Sequence, residues 1–223
     1  MMLTLAVDTT AEFGSIALAD ENGVREEVLL HAPDGFSQVL FGAIEALLAR
    51  ERTRLAEIEL FAGAAGPGSF TGVRVGLSAI KGLAEVLGKR VIAVSNLAAL
   101  GEFGESDARA IVIDARRGEV YAALYDGGGR QIIGEVVAPF QKFLTLLPAR
   151  AFEWISQDFA PFLPALAGTR FENYRVVRAP RAMAGAIAKL AIRQAAAGLS
   201  QDPAAIEANY VRRSDAELLY SAD

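Results

Sequence analysis

The chain has 223 residues, 52% of them hydrophobic and 22% charged, with a formal net charge of −5 and a pI near 5.1. That is ample core for one domain or two small ones and leaves no reason to expect disorder, while the acidic balance argues against a protein that grips nucleic acid alone by neutralising phosphates. The absence of cysteine excludes disulfides, thiol catalysis and cysteine metal sites, and no apolar run approaches the ~20 residues of a membrane span, so a soluble cytoplasmic protein is expected.

The opening residues form an antiparallel meander by pattern. Leu3 to Val7 is an apolar run ending in Asp8-Thr9-Thr10, Ser15 to Ala19 is a second, and Val24 to Leu30 follows the turn signal Asp20-Glu21-Asn22-Gly23. Phe36 to Arg50 then reads as a helix, with Phe36, Leu40, Ala43 and Leu47 on one face. Phe41, Ile44 and Leu48 give it a second apolar edge, wider than a lone surface helix usually shows.

The next stretch organises the rest. IELFAGAA is a strand that must end in a tight loop at Gly66-Pro67-Gly68, and Val73, Leu77, Ile80, Ala84 and Leu87 recur at helical spacing until Gly88 closes the helix. Ser69 reads as its N-cap, with Thr71 as the alternative. A second stripe, Gly72, Gly76, Ala79 and Leu83, admits two readings: close packing of the helix on its own sheet, or a surface shaped for a partner chain. A glycine loop before a helix invites a phosphate, yet Gly68 is followed by Ser69 and Phe70 rather than the Lys of a Walker A loop, and there is no GxGxxG.

Residues 105 to 136 repeat the opening. A gapless offset of 106 matches Asp8 with Asp114, Ala17 with Ala123, Leu18 with Leu124, Asp20 with Asp126 and Gly23 with Gly129. Two such units, each followed by helices, describe an α/β fold of two duplicated lobes, each a mixed sheet with helices. The expected boundaries are residues 1–104 and 105–200, with the helix Arg181 to Ala197 closing the second lobe and 201–223 packing back on the body.

Little here is equipped for catalysis. The single histidine, His31, has Gly35 four residues on and reads as a strand-end surface residue; no GxSxG elbow presents a serine nucleophile. Asp114-Ala115-Arg116-Arg117-Gly118 carries two cationic side chains, read as facing water or as meeting a phosphate or carboxylate. Asp8 and Asp114 are expected to end equivalent strands rather than to hold a metal.

GPGSFTGVRVGLSAIKGLA, LAVDTTAEFGSIAL and DARRGEVYAALY together resemble the TsaB family, also called YeaZ. The resemblance implies the actin-like, Hsp70-like (ASKHA) fold and a role in making threonylcarbamoyladenosine in transfer RNA. It implies a non-catalytic partner of the transferase TsaD, bound through helices of the first lobe, with the ATPase TsaE in the assembly, a homodimer when alone, and tRNA reached only through the complex. TsaD holds a metal on a histidine pair spaced i, i+4, which this chain lacks. Relatives of the fold carry glycines and hydroxyls where Arg116 and Arg117 stand, and no glycine platform for adenosine is visible in QDFAPFLPALAG. No cofactor, metal or catalytic residue is therefore expected; the alternative is an autonomous small kinase of the same fold. The family's terminal Pro-x-Tyr-Leu-Arg segment is resembled by Ala208 to Arg212, where Tyr210 is expected to pack back and Arg212 to meet an acid. The expected interface comprises Phe41, Leu48, Gly72, Gly76, Ala79 and Leu83. On this reading Gly76→Arg leaves a folded monomer that no longer associates.

Overall fold

The computed structural model describes residues 2–209 and 211 and divides into two units, Met1–Ala99 with Arg181–Asn209, and Leu100–Pro180. In the first, strands β1 (Thr4–Asp8), β2 (Phe13–Asp20) and β3 (Gly23–His31) form the expected meander. Helix α1 (Leu40–Arg50) follows, preceded by a single 3₁₀ turn at Phe36–Gln38; then come β4 (Leu60–Gly66), α2 (Phe70–Leu87), β5 (Arg90–Ser95) and a short α3 (Asn96–Gly101). The sheet runs β3-β2-β1-β4-β5, antiparallel on the meander side and parallel from β1 through β5.

Burial follows the periodicity. Val73, Leu77, Ile80 and Ala84 of α2 join Leu40, Ile44, Leu47 and Leu48 of α1 in one core with Leu5, Val7, Ile16 and Phe61 of the sheet. Gly88, in the left-handed region at φ 61°, ends α2 and returns its N–H to the last turn, as the sequence predicts.

The second unit contains β6 (Ala108–Asp114), β7 (Glu119–Asp126), β8 (Gln131–Pro139), α4 (Phe140–Leu146), β9 (Glu153–Ser156) and β10 (Val176–Arg178). Its order, β8-β7-β6-β9-β10, repeats the first topology with the same parallel and antiparallel pairings. The duplication is real, but the gapless alignment is not. Asp8 pairs with Ser15, seven positions on, whereas Asp114 pairs with Val120, six positions on. The offset of 106 therefore holds for β1 and β6 and becomes 105 at β2 and β7. Ala17 corresponds to Ala122 rather than Ala123, since a slip of one would turn every side chain to the other face.

Helix α5 (Ala184–Ala196) corrects a second expectation. It packs on β1, β2 and β4 of the first unit instead of closing the second lobe, so the first unit recovers residues 181–209 and the chain divides at 99/100 rather than 104/105. Its N-terminus explains the choice. The buried Ser15 Oγ accepts hydrogen bonds from Met183 N and Ala184 N at 2.9 and 2.8 Å, and Glu27 Oε1 accepts from Gly185 N at 2.8 Å. A carboxylate and a hydroxyl thus meet the orphan donors and the positive end of the helix. Beyond α5 the chain pairs Gln201 with Val91, buries Ile206 and ties Asn209 N to Ala65 O at 2.8 Å. The roles expected for Tyr210 and Arg212 fall outside the described residues.

Candidate functional site

In a parallel sheet, ligands are met where strands end at their carboxyl edge. On the first unit that edge collects Asp8-Thr9-Thr10 after β1, Gly66 to Ser69 after β4, and Ser95-Asn96 after β5. These groups bind one another. Thr10 donates from both its backbone N (2.9 Å) and its hydroxyl (2.6 Å) to Asp8 Oδ1. Asn96 donates to the Thr10 hydroxyl and accepts from Gly66 N at 3.0 Å, while Ser69 N donates to Thr10 O at 2.7 Å. Asn96, which no motif in the sequence marks, thus links the ends of β1 and β4; nothing but its place at the end of a strand could single it out.

The glycines seal this arrangement. A Cβ on Gly68 would lie 2.6 Å from Thr10 O, one on Gly72 1.9 Å from Thr9 O, and one on Gly76 2.6 Å from Thr9 Oγ1. Of the two readings of the glycine stripe, close packing on the protein's own sheet therefore holds for Gly72 and Gly76. Gly76→Arg is expected to prevent folding rather than to leave a competent monomer. Ser69 is the N-cap, accepting from Gly72 N at 3.2 Å, and the cap, the glycines and the Thr9-Thr10 turn fill the space over the β1 end.

Burial holds the Asp8 carboxyl above its usual range, opposed by the Thr10 hydrogen bonds and reinforced by the charge of Glu27. A raised acid binds its proton more tightly in the folded chain, so its contribution to stability is full below the ordinary value of 3.8 and is lost as pH rises through the folded pKa. Asp8→Asn keeps the acceptor for Thr10 and removes the buried charge. The variant is expected to be as stable as the parent or more so at pH 7, with the difference shrinking as pH falls toward 4. Urea unfolding at several pH values checks this; a destabilised variant at pH 7 whose deficit vanishes in acid would show that the ionised carboxylate is required.

At the duplicate position the same residue type is treated differently. Asp114 is exposed, accepts from Arg116 N at 2.8 Å, and begins a turn in which Arg116, Arg117 and Gly118 have φ of 66°, 55° and 78°. Both arginines are exposed at that turn. His31 is half exposed, stacks on Phe13 at 4.6 Å and lies 3.8 Å from Glu12. Among the described residues no three His, Asp or Glu side chains gather as ion ligands, and no helix is long and apolar enough to cross a membrane.

The outward face of α1 and α2 is the second feature. Of the six interface candidates only Phe41 is prominent, at 56% exposure. Leu48 is in the core, Ala79 is buried, Leu83 is half-buried against the core, and Gly72 and Gly76 face Thr9. The residues that do face out include Phe41, Gly42, Glu45, Ala46 and Ala49 on α1, and Phe70, Thr71, Arg74, Ser78, Gly82 and Val86 on α2. Among the described residues nothing stands within 4 Å of where a Cβ would be on Gly42 or Gly82, so these glycines leave room for an incoming backbone. Between the helices runs a mainly apolar groove of about 390 Å³, lined by Ser37, Leu40, Phe41, Arg74, Val75, Ser78 and Ala79. Arg74 spans the Phe70 ring at 3.3 Å, which shapes one end of it.

The family model of TsaD, tRNA N6-adenosine threonylcarbamoyltransferase, matches residues 30–209. The tRNA threonylcarbamoyladenosine biosynthesis protein TsaB of Escherichia coli is 37% identical over 128 residues, 56% of this chain and 55% of that protein; the TsaB of Bacillus subtilis is 36% identical over 126 residues, with the same coverage. The chain thus spans about half the length of the curated relatives it matches. A solved structure of YeaZ from Pseudomonas aeruginosa is 26% identical with a TM-score of 0.80, covering 94% of this chain and 100% of that one. With the duplicated topology and the sealed glycine loop in place, these matches identify the chain as a member of the TsaB (YeaZ) family of TsaD-like proteins, with the two-lobed ASKHA-like fold.

Proposed function

We propose that the chain is a non-catalytic subunit of the machinery that installs threonylcarbamoyl on N6 of the adenosine beside the anticodon in tRNA, acting in the cytoplasm. Its α1/α2 face docks a TsaD-like transferase, with a TsaE-like ATPase in the assembly, and a second copy of the chain takes the transferase's place when it is alone. The observation that carries this reading is the exposed, small-residue face of α1 and α2 around an apolar groove. The match to the TsaD model across both helices supports the choice of occupant: a TsaD-like protein would offer an equivalent helix pair, and two such pairs would form a four-helix contact about a pseudo-twofold axis. The first unit's strand edge supports the non-catalytic part, because the chain's own loop lies where a phosphate would approach.

Phe41→Glu tests the docking. Phe41 is exposed, so the variant is expected to fold, to sediment as a monomer at concentrations where the parent self-associates, and to bind a TsaD-like partner at least about 100-fold more weakly, as hot-spot aromatics do. Unchanged association would overturn the assignment of the face. Reconstitution with the transferase, the ATPase, tRNA, ATP and threonylcarbamoyl-AMP as the group donor is expected to yield modified tRNA only when the TsaD-like partner is present. Product from this chain alone, or tight magnesium-dependent ATP binding by it, would favour the autonomous kinase-like enzyme instead.

A further inference from the structure

We infer that Thr9 is a positioning residue for the docking face: it fixes where α2 sits on the sheet and thereby the shape of the groove shared with α1. The inference rests on the docking reading above and adds a residue that never touches the partner. Thr9 is 1% exposed, and its hydroxyl donates a 2.7 Å hydrogen bond to Gly72 O in the first turn of α2. Its Oγ1 occupies the notch left by Gly76, one turn further along, where a Cβ would stand 2.6 Å away. Its carbonyl is set against Gly72 more closely still, 1.9 Å from where a Cβ would stand. One threonine from the end of β1 thus fits between two glycines spaced i, i+4 and registers the helix both along its axis and in height above the sheet.

This matters for docking because the backbones of α1 and α2 approach each other little, although their apolar side chains share one core. The seat of α2 is set mainly by β4, with the turn at Pro203–Ala205, β1 and β5 adding less, and Thr9 ties its first turn to the end of β1. The groove wall formed by Arg74, Val75, Ser78 and Ala79 begins two residues after Gly72, so a small slide or lift of that turn moves the wall relative to Leu40 and Phe41 on α1. Packed interfaces tolerate such shifts poorly, since a gap of about half an ångström already forfeits a good part of the dispersion attraction and no other atom moves in to restore it.

The test compares four variants by sedimentation equilibrium, with hydrogen exchange at the α2 amides. Thr9→Val removes the hydroxyl at constant shape and is expected to weaken self-association about tenfold and to speed exchange in the first two turns of α2. Thr9→Ser keeps the hydroxyl and is expected to stay within about twofold of the parent. Gly76→Ala collides with Thr9 and is expected to weaken association, while Thr9→Ala in the same chain clears the space and recovers part of it. Thr9→Val associating like the parent, while Phe41→Glu dissociates, would refute the positioning role and leave the docking face standing. If neither affects association, the docking face itself falls. Should Thr9→Val not fold, the alanine pair decides: a double variant no better than Gly76→Ala alone overturns the inference.

Discussion

Gly72→Ala is expected to cost the chain about 3 kcal/mol, although helix propensity taken alone favours alanine by about 1 kcal/mol. The added methyl would lie 1.9 Å from the carbonyl oxygen of Thr9 and 3.0 Å from its carbon, both backbone atoms that no rotamer change can move aside. Either α2 lifts at its N-terminus, breaking the Ser69 cap and the Thr9 bond, or the β1 turn shifts and disturbs the Asp8-Thr10-Asn96 network. Gly82→Ala on the same helix is the control. With no described residue within 4 Å of its Cβ position, it is expected to stabilise by about 0.5–1 kcal/mol. Urea unfolding of both variants measures the contrast. If Gly72→Ala matched Gly82→Ala, the close approach of α2 to β1 would be wrong, and with it the basis for assigning Thr9 a positioning role.

That contrast also marks how much of the molecule can be read from its residues. The strand, turn and helix from Ile58 to Gly88 are legible because the apolar residues that bury themselves are the ones that carry the periodicity, and Ser69 and Gly88 bracket them chemically. Glycine has no such signature. The stripe at Gly72 and Gly76 announces a close approach without saying what approaches, whereas Gly42 and Gly82, which do face out, lie outside any apolar pattern. Helix α5 is legible as a helix but not by its destination, because alanine-rich faces fit many surfaces; Ser15 and Glu27, far away in the sequence, decide it. The duplication is visible in Asp8 and Asp114, yet a turn shorter by one residue moves the true correspondence off the identities that suggest it. Asp8 and Asp114 end equivalent strands, but the packing around Asp8 buries it and leaves Asp114 in water, a difference set by other segments of the chain.

These features also separate what the fold requires from what docking requires. Leu48 and Gly72 are bound into the first unit, so substitutions there, like a long side chain at Gly76, would register as lost protein before they registered as lost association. Phe41, Gly42, Ser78 and Gly82 stand outward, and changes there act on the partner at little cost to folding. A scan of α1 and α2 read by both stability and association is therefore expected to split along the buried and exposed positions rather than along the apolar and polar ones.

In the second unit the largest expected effect is at Trp154, the only tryptophan of the chain. It is fully buried on β9, with the rings of Phe152, Phe159, Phe140, Phe171 and Phe143 between 5.0 and 6.5 Å away. Trp154→Ala removes the hub of that cluster and leaves a cavity bounded by stiff rings that cannot collapse into it, so a loss of about 4 kcal/mol is expected. Trp154→Phe is expected to cost far less, about 1 kcal/mol or below. Among the described residues the buried indole Nε1 has no hydrogen-bond partner, so exchanging it for carbon gives up no bond and relieves a desolvated donor, which offsets part of the lost ring area. Both variants lack the tryptophan fluorophore, so the comparison calls for hydrogen exchange at the amides of β6, β7 and β9 under increasing urea. Protection in the first unit should be nearly unchanged, because its core shares no residue with this cluster. A Trp154→Phe variant as damaged as Trp154→Ala would show that the indole N–H is satisfied in solution, by a water molecule or by the face of a neighbouring ring.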